Sequence, residues 1–110
     1  MANTALDGTN GVIRNFDFQS PTTGFTYTVP AGVVGTAFTP AGTLAAGTIT
    51  MPANPVDGMT INISSSQTIT ALTHNANTGQ TILNPLTTIS AGGAAAWLYR
   101  ISNTTWYRVN

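Results

Sequence analysis

The chain has 110 residues, and only six are charged: Arg14, Arg100, Arg108, Asp7, Asp17 and Asp57, for a net charge of zero. Three arginines cannot supply the run of phosphate contacts that nucleic-acid binding needs, and with no Lys or Glu the usual material of solvated helix faces is missing. No cysteine is present, so neither a disulfide framework nor a thiolate metal site is available.

Residues 1–20 read as an N-terminal arm. Asp7-Gly8-Thr9-Asn10-Gly11 is turn-rich, and Phe16 and Phe18 then alternate with Asn15 and Asp17, as in a short strand with one apolar face. Residues 1–10 hold neither the basic region nor the apolar core of a signal peptide. Phe25, Tyr27 and Val29 alternate with Thr26 and Thr28, and Pro30, which cannot donate to a ladder, ends that strand. Residues 31–46 are small, apolar and broken by Gly32, Gly35, Pro40 and Gly42. That stretch predicts one short strand within residues 33–38, then a loop, and no bilayer-spanning helix.

Residues 48–51 predict a strand, followed by a turn cluster at Pro52, Asn54, Pro55, Asp57 and Gly58. Met59, Ile61 and Ile63 alternate with polar neighbours in the next strand, and residues 67–73 form another. Asn77-Thr78-Gly79 turns the chain back through residues 80–83, and residues 87–90 add a short edge. In the last hairpin, Trp97, Tyr99 and Ile101 line one face, and Tyr107 and Val109 line the returning face. Trp106 and Arg108 are then expected to point away from it. About eight short strands at regular spacing, with no helical period, predict an all-β chain. The expected fold is an antiparallel β-sandwich of the jelly-roll kind over residues 21–110, with residues 1–20 as an extended arm. The 21 threonines suit this reading, because a β-branched hydroxyl residue sits well on a half-solvated sheet.

Few groups are available for chemistry. The acids and bases are three aspartates and His74. Asp57 reads as a turn residue, and His74 as an exposed residue at a strand end without the partners a metal site requires. Asp7-Gly8-Thr9-Asn10-Gly11 lacks the second carboxylate of a calcium loop. No nucleophile elbow, catalytic site, metal or cofactor is expected. A nearly uncharged surface favours association. Trp106, Arg108 and Arg100 are the candidates for an oligomer or partner interface, since aromatic rings beside arginine are typical of hot spots.

Residues 47–109 resemble small virion proteins of tailed bacteriophages. The resemblance rests on Thr48-Ile49-Thr50-Met51-Pro52-Ala53-Asn54-Pro55-Val56-Asp57-Gly58, Ile69-Thr70-Ala71-Leu72-Thr73, Asn77-Thr78-Gly79-Gln80-Thr81-Ile82 and Ser102-Asn103-Thr104-Thr105-Trp106-Tyr107-Arg108-Val109. It implies a structural role without catalysis, and it is shared by head decoration, or cement, proteins and by the C-terminal ends of tail-fibre proteins; the expected role is a decoration protein on the outside of the phage head, made in the host cytoplasm. The implied partners are the major capsid protein and the chain itself, as a homodimer or homotrimer, with no nucleic acid and no membrane. Arg14, Phe16 and Phe18 are the candidate capsid contacts. The short segment before the first firm strand favours the head. The alternative is a tail-fibre or receptor- and carbohydrate-binding tip, with Trp106, Tyr107 and Asn103 as its stacking platform.

Overall fold

A computed structural model describes residues 5–7, 11–13 and 16–110. Strands β1 (Ala5–Asp7) and β2 (Gly11–Ile13) pair antiparallel, Asp7 opposite Gly11. From Phe16 the chain winds. Strands β3 (Phe16–Gln19), β4 (Phe25–Thr28), β5 (Gly35–Phe38), β6 (Leu44–Thr50), β7 (Thr60–Ser65) and β8 (Ile69–Asn75) alternate between two sheets. In one sheet β3, β5 and β7 lie side by side, all parallel; in the other β4, β6 and β8 do the same. The result is a three-coil β-solenoid.

Three further strands close its far end: β9 (Thr81–Ile82), β10 (Ala94–Arg100) and β11 (Thr105–Arg108). β10 lies antiparallel to β7, β11 antiparallel to β10, and β9 parallel to β11, giving a six-stranded sheet ordered β3-β5-β7-β10-β11-β9. On the other sheet, Ile69 and Ile89 exchange both main-chain hydrogen bonds, 2.9 and 3.1 Å, and Leu72 N–H donates to Thr87 at 2.9 Å. The third coil is therefore covered on both sheets. In the first coil, β3 and β4 are edge strands.

The all-β expectation holds, and among the described residues there is no α-helix and so none long and apolar enough to cross a membrane. The antiparallel jelly roll is corrected to a coil of parallel strands. A two-residue side-chain period is common to parallel and antiparallel strands, and short connections ordinarily signal hairpins. Here each short connection crosses to the opposite sheet. Every second strand can therefore pair in parallel without a helical crossover. Two local corrections follow. Phe16–Gln19, the end of the expected arm, is the edge strand of the six-stranded sheet, and β6 begins at Leu44 where a loop was expected.

The stacked register explains the composition. On the three-stranded sheet, Thr26, Thr48 and Thr73 align across the strands, as do Thr28, Thr50 and Asn75, all on the outer face. Between them, Phe25 aligns with Gly47 and Leu72, and Tyr27 with Ile49 and His74, pointing inward. Gly47 has a packing reason to be glycine: a Cβ there would lie inside the Phe25 ring. Phe38, Ile49, Met51, Ile61, Ile63, Ile69, Trp97 and Trp106 are fully buried between the sheets.

Candidate functional site

The first coil has an inverted polarity. On β3 the charged and amide residues, Asp17 and Gln19, turn inward, while the rings of Phe16 and Phe18 point out, 52% and 71% exposed. The inward turn is held by hydrogen bonds. Tyr27 donates its hydroxyl to Asp17 Oδ2 at 2.7 Å, and Gln19 Nε2 donates to the same oxygen at 3.0 Å. The Tyr27 oxygen also lies 2.9 Å from Thr36 Oγ1, and its ring stands edge-on to Phe38 with centroids 5.4 Å apart. The Tyr27 hydroxyl is the main reason that the Asp17 carboxyl is held below its usual range; burial, above all, pushes the phenol up. The only charge on β3 is thus satisfied beneath the strand.

Among the described residues, the backbone of β3 is used on one side. Thr39 N–H donates to the Gln19 carbonyl at 2.7 Å. In a parallel ladder alternate residues bond to one neighbour, so Asp17 and Gln19 bond toward β5. The N–H and C=O groups of Phe16 and Phe18 face the open edge. The Phe16 ring lies over Gly35, where a Cβ would collide with it, and beyond the two rings the outer face carries small side chains. Gly35, Asn62 and Ala96 continue the row from Phe16, and Ala37, Ser64 and Ala94 the row from Phe18. Of the expected capsid contacts, Phe16 and Phe18 come together here, and Arg14 lies outside the described residues. The Tyr27–Asp17 bond was not legible in the sequence, because partners ten residues apart on different sheets leave no local pattern.

The final hairpin departs from expectation. Tyr99 is opposite Trp106 and Trp97 opposite Arg108, so Trp106 shares the inner face. Trp106 is fully buried, its indole N–H donates to Gln80 Oε1 at 2.9 Å, and its ring lies 4.9 Å from Tyr99. It is a core residue and presents nothing to a partner. The outward pair is Leu98 and Tyr107. The expected phase is wrong by one residue on the returning strand. The cause is the turn, a 3₁₀ segment at Ile101–Asn103 followed by Thr104 in the left-handed region at φ 50°, and a one-residue slip reverses both faces of a strand. Arg100 is exposed beside the turn. Arg108 is tied to the rim: its Nη1 donates to the Asn84 carbonyl at 3.3 Å, and its guanidinium carbon sits 5.4 Å from the centre of the Trp97 ring.

His74 is also corrected, from exposed to buried, at 4% exposure. β8 extends through it to Asn75, and the inward phase of Leu72 carries it under Trp97, edge to face at 4.5 Å. Its Nδ1 accepts the Leu86 N–H at 3.2 Å, which places the ring proton on Nε2, 3.3 Å from Met51 Sδ. Burial, aided by the charge of Arg108, lowers its pKa to about 4. The ring is neutral and clamps the segment at Leu86 to the core. Asp57 accepts the Ile101 N–H at 2.9 Å, so it braces the terminal hairpin as well as standing in its own turn. Among the described residues, no three His, Cys, Asp or Glu side chains converge as a metal ion would need. Comparison of the chain with protein-family models and with curated protein sequences finds no match.

Proposed function

We propose that the chain is a structural virion protein of a tailed bacteriophage, a decoration protein that binds the outer surface of the head and staples neighbouring capsid subunits. The observation that carries this reading is the open edge of β3, with two aromatic rings turned to solvent and its one charge turned inward. Natural edge strands are normally guarded by lysine, proline, an inward-pointing charge or a covering loop. Along its length β3 has neither lysine nor proline, and its inward charge, Asp17, is already satisfied by Tyr27 and Gln19; Pro21 lies two residues beyond it. An unguarded edge beside exposed rings suits strand addition, in which main-chain bonds give affinity and alternate side chains give specificity. Burial of Trp106 removes the indole from the stacking platform on which the carbohydrate-binding alternative depended.

The test is co-sedimentation of the full chain with undecorated heads assembled from the major capsid protein of the same genome. Binding is expected, and Phe18→Lys is expected to reduce it at least tenfold while leaving the β-sheet circular dichroism unchanged. Heads that sediment without the chain would refute the proposal.

A further inference from the structure

We propose that the strand completing the open edge of β3 is β3 of a second copy, paired antiparallel about a two-fold axis that passes through Phe18. The inference rests on the reading of this edge as a docking site and gives the edge to a second copy; the pair then staples the head through the surfaces this contact leaves exposed, and Phe18→Lys weakens head binding by separating its two halves.

The register follows from the hydrogen-bonding phase. The main-chain groups of Phe16 and Phe18 face the open side, and two centres of an antiparallel pair keep three of the four β3 residues paired within the strand: Phe18 opposite its own copy, or Asp17 opposite its own copy. The second sets two carboxylates directly across from each other in the close, non-hydrogen-bonded position, which is unfavourable. The first sets Phe18 opposite Phe18 as a hydrogen-bonded pair and puts each Asp17 opposite the other copy's Gln19. Gln19 already donates to Asp17 within one chain, and the amide has a second N–H for the carboxylate across the axis. The edge is therefore complementary to itself.

Three further observations favour a second copy. Phe16 and Phe18 from both chains would meet on one outer face, so that four rings now facing water cover one another. The net charge of zero removes long-range repulsion between copies. A two-fold contact closes on itself and leaves no further β3 edge to recruit a third chain. The same axis would also set β4 against its copy. Val29 N–H donates to the Thr50 carbonyl at 2.9 Å, so the main-chain groups of Thr26 and Thr28 face the same open end.

The experiment is light scattering on the full chain. The natural protein should elute at twice the chain mass. Phe18→Lys should elute at the chain mass with unchanged circular dichroism, because its side chain and its main-chain groups face outward, and should melt at a lower temperature that no longer rises with protein concentration. A second measurement uses the lack of cysteine in the chain. Across an antiparallel hydrogen-bonded pair the Cα atoms are ~5.5 Å apart, within disulfide reach. Phe18→Cys should oxidise to a covalent dimer at least tenfold faster than Ser102→Cys on the exposed 3₁₀ turn. A monomeric natural chain, a Phe18→Lys dimer, or equal oxidation rates would overturn the proposal. Head co-sedimentation separates the two readings. A dimer that ignores heads retains the β3 pairing and refutes decoration; a monomer whose head binding is lost with Phe18→Lys does the reverse.

Discussion

Acid should weaken this fold through one residue, His74. Its ring is buried under Trp97 with Arg108 nearby, and its pKa falls from an ordinary 6.5 to about 4. Above pH 6.5 the ring is neutral in both folded and unfolded chains, and its full contribution is present. As pH falls from 6.5 toward 4, the unfolded chain takes up a proton that the folded chain refuses, so stability is lost throughout that window. A difference of about 2.5 pH units, at ~1.4 kcal/mol per unit, amounts to about 3 kcal/mol by pH 4. Asp17 adds little in that window, because its folded carboxyl titrates below the ordinary 3.8 and most of its loss comes at lower pH. Urea unfolding at pH steps between 7 and 4 reads the slope directly, with a proton-resonance titration of the single histidine as a second readout. In His74→Leu the slope should nearly vanish. That variant should also start lower at neutral pH by about 1–3 kcal/mol, since the Leu86 N–H loses its acceptor. An equal slope in the variant, or a histidine midpoint near 6.5, would refute the account of His74 as a buried neutral clamp.

Two further outcomes test the first coil. Gly47→Ala puts a methyl into the Phe25 ring and should cost about 1–3 kcal/mol; in a Phe25→Ala background the same substitution should cost much less, and equal costs in a double-mutant cycle would rule out the ring as the cause. Tyr27→Phe removes the hydroxyl that bonds Asp17 and Thr36, and should cost about 1 kcal/mol at neutral pH after allowance for solvent around a half-exposed pair. The Asp17 carboxyl resonance should then titrate at higher pH than in the natural chain, and an unmoved midpoint would assign its shift to another group.

Much of the local structure was legible in the chain itself. The alternation of Phe25, Tyr27 and Val29 marks β4, that of Ile61 and Ile63 marks β7, and Trp97 and Tyr99 are inward on β10 as their spacing suggests. The scarcity of charge and the abundance of threonine already indicated sheets with a hydroxylated outer face, because these depend on composition and a two-residue period. Three features required the folded molecule. Parallel coils replaced antiparallel hairpins because the direction of a neighbouring strand leaves no mark on side-chain alternation. Trp106 moved to the core because the left-handed Thr104 sets the phase of the strand after it, and phase is a property of the turn. Asp17 could turn inward and expose Phe16 and Phe18 because Tyr27, on the opposite sheet, satisfies its charge. Only packing of one sheet on the other makes that partner available, and with it the edge on which the proposed function rests.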